Sequence, residues 1–138
     1  MNYWLVKSEP EAFSWDQFVQ DGKAMWDGVR NYQARNHLKA MRTGDLVMFY
    51  HSVSEKAVRG VGQITREFYP DPTVNDERWV AVDLKPVYRL KNPVSLATIK
   101  QDERLSGTAL IRQSRLSVMP LTPDEFNRML ELGEAVEL

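Results

Sequence analysis

The run Leu46-Val47-Met48-Phe49-Tyr50 constrains the fold of this chain more than any other stretch. It is of strand length, almost continuously apolar, set off by a turn at Thr43-Gly44-Asp45 and followed by His51-Ser52. A strand with one wet face alternates in polarity. This one does not, so it reads as a strand buried on both faces.

The rest of the chain supplies partners for it. Tyr3 to Lys7 is a short aromatic and β-branched strand. A strand from about Ala57 to Arg66 carries Gly60 and Gly62 on one face, the mark of a bend or of a close approach to the backbone. Trp79 to Leu90 is a long strand in which Pro86 signals an edge or a bulge, and Leu116 to Met119 alternates like a last strand. Ser14 and Gln17 have the spacing of a capping box, which predicts a helix from Trp15 to about Gln20 ending at Gly22, with Phe13 and Phe18 as its hydrophobic staple. A second helix follows Asn31. Ala34, Leu38 and Met41 form its buried stripe, and Arg35, Lys39 and Arg42 repeat that spacing one residue later as a basic face. A short helix fits 93–100, and Thr122-Pro123-Asp124-Glu125 opens a final helix from Pro123 to about Leu132, closed by Gly133. Five or six strands without regular βαβ alternation predict an α+β fold, a small mixed β-barrel flanked by short helices, with residues 1–138 as one domain.

Composition removes several classes. There is no cysteine, so no disulfide framework, and no apolar stretch approaches the ~20 residues of a membrane span. The chain is expected to be soluble and cytoplasmic. A net charge of −1 argues against gripping nucleic acid by bulk electrostatics, though not against a local basic face.

The functional signal lies in Trp26-Asp27-Gly28-Val29-Arg30-Asn31-Tyr32-Gln33-Ala34-Arg35-Asn36. An indole, a phenol, two guanidiniums, three carboxamides and a carboxylate crowd into this stretch, and in a core they would be costly to satisfy. Asp27-Gly28 reads as a turn and Asn31 as a helix cap. Trp26, Asp27 and the first helical N–H groups are therefore expected to converge at one polar-ligand site. The plain alternatives are a core tryptophan and a merely solvated basic face. Catalytic motifs are absent: of the two imidazoles, His37 sits beside a buried stripe and suits packing, while His51 with Ser52 ends the central strand and is the better site candidate. No metal or cofactor is expected. A pocket for a planar ligand is the most economical use of these groups, with aromatic faces stacking a base and polar groups reading its edge.

Tyr3-Trp4-Leu5-Val6-Lys7-Ser8-Glu9-Pro10, the Trp26–Asn36 stretch, Phe49-Tyr50-His51-Ser52, Tyr69-Pro70-Asp71 and Arg115-Leu116-Ser117-Val118 together closely resemble the EVE domain family, in order along the whole chain. The resemblance implies a PUA-like fold related to YTH domains. It also implies a non-enzymatic role, binding nucleic acid, DNA or RNA, that carries a modified base, notably a modified cytosine in DNA. Carried over, the base pocket draws on Lys7, Ser8, Glu9, Trp26, Asp27, Asn31, Tyr50, His51 and Ser52. Trp26 is the stacking platform, and Asn31, Ser8 and Ser52 are edge readers. Lys7 with Arg30, Arg35, Lys39 and Arg115 would meet phosphates. The alternatives are an enzyme acting on a modified nucleotide with His51 and Glu9 as acid and base, an RNA-binding PUA-like module, and a protein interaction module.

Overall fold

The computed structural model describes residues 1–138. The central run forms β3 (Leu46–His51), and Val47 to Tyr50 are at most 3% exposed, as a strand covered on both faces must be. β1 (Tyr3–Ser8) lies parallel to it on one side and β4 (Ala57–Pro70) antiparallel on the other. β5 (Val80–Ser95) runs along β4, and its far edge takes two short strands at different heights. These are β2 (Ala24–Trp26) at Val82–Leu84 and β7 (Ala135–Glu137) at Tyr88–Leu90. β6 (Val118–Leu121) pairs with the free edge of β1.

The sheet order is thus β2-β5-β4-β3-β1-β6, with β7 beside β5. The register between β4 and β5 shifts at four places, one of them where Gly62 meets Pro86, and each shift bends the pair. The sheet is nevertheless not closed, which corrects the expected barrel. β2 has three residues and β6 four, and Pro120 in β6 has no N–H to offer a further strand.

Five short helices cover this sheet. α1 (Trp15–Asp21) is capped by Ser14 and ends at Gly22 in the left-handed conformation. It rests directly on the β4 backbone, because a Cβ at Gly60 would overlap the Trp15 ring. α2 (Tyr32–Ala40) buries Ala34 and Leu38, and Met41 caps it, all three at 0% exposure. α3 (Leu96–Gln101), a 3-10 turn at Glu103–Leu105 and α4 (Ala109–Arg112) lead to β6, and α5 (Pro123–Gly133) starts with the full Thr122–Glu125 capping box. β2, α4 and β7 are too short to leave a periodic pattern, so the strand expected to be last is followed by another. At the centre, the Phe49 ring lies 5.4 to 6.1 Å from those of Phe13, Trp15, Phe18, Trp26 and His51. Each such pair adds roughly 0.5–1.5 kcal/mol beyond area burial, so this cluster fixes the floor of whatever opens above it.

Candidate functional site

A cleft of about 1080 Å³ opens where β2 ends. After Trp26 the chain turns at Asp27-Gly28, where a φ of +75° favours glycine, and Val29 and Arg30 carry it along one wall. Lys7, Ser8, Glu9 and Phe13 form the opposite wall. Thr65 and Tyr69 of β4 and Asp83 of β5 form the third. Trp26 keeps 8% of its surface exposed and meets Phe49 and Phe13 edge to face, at 5.6 and 6.2 Å. The floor is therefore aromatic and rigid.

The Asp27–Arg30 turn is held from outside by Asp71, whose side chain is completely buried. One carboxylate oxygen accepts from the Gly28 N–H at 2.9 Å and from the Arg30 guanidinium at 3.0 Å. The other accepts from the Thr73 N–H and hydroxyl. Burial pushes this carboxyl up, but the bonds from Thr73, Gly28 and Arg30 overcome it and hold it well below the usual carboxylate range.

Of the four carboxylates that line the cleft, Glu9, Asp21, Asp27 and Asp83, the last two are in different states. Asp83 accepts from the Tyr69 hydroxyl at 2.5 Å, and burial, then this bond and the charge of Asp83, push the phenol up to about 12. Asp27 is half-buried and makes no hydrogen bond or ion pair to any other side chain or backbone group. Lys7 donates to the Ser114 carbonyl at 2.8 Å, and burial lowers its ammonium; Ser8 donates to the Phe13 carbonyl. No three His, Asp or Glu side chains gather as a metal-ligand set.

Of the residues expected at the site, the cleft brings together Lys7, Ser8, Glu9, Trp26, Asp27 and Arg30. The others lie elsewhere. Asn31 caps α2 by accepting from the Ala34 N–H at 2.9 Å, and it lines a separate depression with Arg115. The helix N-terminus and Trp26 thus open onto different hollows and do not converge. Tyr50 is buried in β3, and burial raises its phenol. His51 is 5% exposed with both ring nitrogens engaged: Nε2 accepts from the Trp15 N–H at 2.9 Å and Nδ1 pairs with Glu55 at 2.5 Å. Ser52 ties its N–H to the Ser8 carbonyl. Arg35 and Lys39 stand on the outer face of α2. His37 packs against Trp4, as its place beside the buried stripe suggested.

Phe13, Thr65, Tyr69 and Asp83 also line the cleft and Asp71 anchors its turn, none of them expected from local sequence pattern. The Tyr69-Pro70-Asp71 triplet carries part of the family resemblance, but nothing in its spacing assigns it to a pocket. Asp83 left a signal too, a lone carboxylate in an otherwise apolar strand centre.

A mixed sheet under short helices, with an aromatic-floored and polar-walled cleft, defines a small module of the PUA-like type. The chain belongs to the EVE domain family, whose model matches residues 2–132. Mouse thymocyte nuclear protein 1 is 36% identical over 167 residues, covering 96% of this chain and 74% of that protein. Among solved structures, an NMR structure of a Rhodopseudomonas palustris protein is 46% identical with a TM-score of 0.92, covering 97% of this chain and 94% of that one. A crystal structure of human THYN1 in complex with 5-methylcytosine-containing DNA is 34% identical with a TM-score of 0.91, covering 97% and 98%. A YTH domain from Zygosaccharomyces rouxii, 13% identical with a TM-score of 0.60, shares the fold alone.

Proposed function

We propose that the protein is a non-enzymatic reader that takes a modified base, 5-methylcytosine in DNA, into the Trp26 cleft. The observation that carries this is the uncommitted Asp27 carboxylate beside an aromatic floor. A carboxylate that lines the cleft and holds no bond inside the protein can accept from a ligand without first giving up an internal partner. The amino group of cytosine is such a donor, and carboxylates accept from it, whereas thymine presents a carbonyl at that position and would be repelled. Asp83, with one oxygen free of Tyr69, lines the same cleft. The match to human THYN1 along the whole chain supports a base of this class.

In this reading the base enters unpaired, because the cleft reaches it only once it has left the stack. Trp26 and Phe13 contribute apolar contact, and Ser8 and Asp27 read the edge. Burial of the added methyl is worth ~0.8 kcal/mol, roughly a fourfold preference over cytosine. Binding is favoured over acid–base chemistry because His51, the expected partner of Glu9, spends both nitrogens inside the fold. A reader of DNA shares the compartment of DNA, which in a cell without a nucleus is the cytoplasm.

The test is fluorescence anisotropy on single-stranded oligonucleotides that differ at one position. Binding should rank 5-methylcytosine above cytosine and both far above thymine. Asp27→Asn should flatten the cytosine-to-thymine ratio without unfolding the protein, whereas Trp26→Ala, which cuts into the core, should lower stability as well as binding. Equal binding of all three bases by the wild type rejects the proposal.

A further inference from the structure

Outside the cleft, the outer face of α2 carries Tyr32, Arg35, Lys39 and, just past the helix end, Arg42, at spacings of three, four and three residues. No acidic residue lies in α2, and none of these three cations has a carboxylate within ion-pair distance. The aromatics of the face are exposed: Tyr32 is 51% and Phe68, from β4, 43% accessible. They are not scattered. The Arg35 guanidinium lies 5.0 Å over the Tyr32 ring, Tyr32 stacks on Trp79 at 5.1 Å, and Arg30 lies 5.6 Å over Trp79 from the cleft side. Lys39 lies 5.4 Å over Phe68 further along.

The geometry points to this face as the track for the nucleic-acid strand that flanks the base held in the cleft. The inference rests on the reading of the cleft as a base slot. Three observations favour a polyanionic strand over a solvated charged surface. A face that is merely solvated has no use for exposed rings, while here each ring backs a cation. A guanidinium stacked on a ring is already ordered when a phosphate arrives, so less freedom is lost on binding. The ladder is also continuous with the cleft, because Arg30 lines the cleft and stacks on Trp79. From Tyr32 to Arg42 the face is about 15 Å long at 1.5 Å per residue, enough for a few consecutive phosphates.

Cations and rings have separable effects on this track. Arg35 and Lys39 each displace counterions, so the double variant Arg35→Ala/Lys39→Ala should lower the salt slope of single-strand binding by about 1.4 and weaken binding on the order of tenfold near 0.1 M salt. Tyr32→Ala removes the backing of Arg35 but no charge, so affinity should fall severalfold at an unchanged slope. The probes are a single-stranded oligonucleotide with one central 5-methylcytosine, read by anisotropy over a salt series, and 5-methyl-2′-deoxycytidine monophosphate, read by NMR titration. The monophosphate fills the cleft without reaching α2, so its affinity should be the same for wild type and both variants. All substituted side chains are on the surface, and thermal melts check that the variants stay folded. Unchanged oligonucleotide affinity and slope in the double variant overturn the track and leave the face to another acidic partner. Loss of the methyl preference with the slope change intact would instead reject the cleft reading. Failure of the wild type to bind either probe overturns both.

Discussion

The Trp26 corner and the His51 corner look alike in sequence, each an aromatic followed by small polar residues at the end of a strand. In the fold they are opposites. At His51 the polar groups close a circuit: the imidazole accepts from the Trp15 N–H, gives its other nitrogen to Glu55, and Glu55 also binds Arg59. At Trp26 the backbone is fixed from behind by Asp71 while the Asp27 carboxylate is left with nothing to bind. A hydrogen-bonding group whose partners lie inside the protein stabilises the fold; one that lacks them is available to a ligand. Where a side chain's bonds are directed, more than its residue type, separates His51, closed within the fold, from Asp27, open to the cleft.

The strongest way to break this contrast is to remove the anchor. Asp71→Ala leaves the Gly28 and Thr73 N–H groups and the half-exposed Arg30 guanidinium without their acceptor, and losing these bonds to a charged group costs about 1.5–3 kcal/mol. Urea unfolding at neutral pH measures it, and ligand binding should disappear with the turn. The sign with pH follows from the lowered carboxyl of Asp71. A carboxyl depressed in the folded state stabilises fully above its unfolded value, about 3.9, and that contribution drains away as pH falls below it. Other paired acids titrate there as well. The readout is therefore the difference between wild type and Asp71→Asn, whose stability should fall less steeply below about pH 4. Parallel acid curves for the two would mean that Asp71 is not the anchor.

Next in size is the other corner. His51→Ala exposes no new surface to a ligand but strips the Trp15 N–H of its acceptor, at a cost of about 1–3 kcal/mol. Melting should shift down while the ranking of 5-methylcytosine, cytosine and thymine stays the same. A variant that melts normally yet loses that ranking would place His51 in the site and dissolve the contrast.

What was legible in the sequence divides along the same line. Periodicity and caps revealed β1, β3, α1, α2 and α5, because their burial repeats over several turns or pleats. The doubly buried β3 and the close approach at Gly60 were also readable from local pattern alone. Elements of three or four residues, β2, α4 and β7, carry no period; β2 and β7 are defined by the β5 edge that they meet, and α4 by packing against β6. The candidate site was half legible for a related reason. Lys7, Ser8, Glu9, Trp26, Asp27 and Arg30 lie in contiguous motifs, whereas Tyr69, Asp71 and Asp83 reach the same place through the β4–β5 pairing. Motif proximity also drew in Asn31 and Ser52, whose bonds turn out to be local to a helix cap and a strand crossing.

The smallest expected effect tests the contrast inside the cleft itself. Tyr69 and Asp83 form a half-closed circuit, intermediate between the two corners, with the phenol pushed up to about 12. An acid raised in the folded state stabilises fully below its unfolded value, near 10, and this is lost as pH climbs through 12. An ultraviolet titration should show two of the five tyrosines, Tyr50 and Tyr69, ionising after the exposed ones, and Tyr69→Phe should remove one of those two late steps. The same substitution returns both Asp83 oxygens to the cleft. If an open carboxylate is what selects cytosine over thymine, stability should fall by no more than about 1.5 kcal/mol while the cytosine preference holds or rises. A fall in that preference would mean that the Tyr69 hydroxyl, and not the carboxylates it leaves uncovered, faces the base.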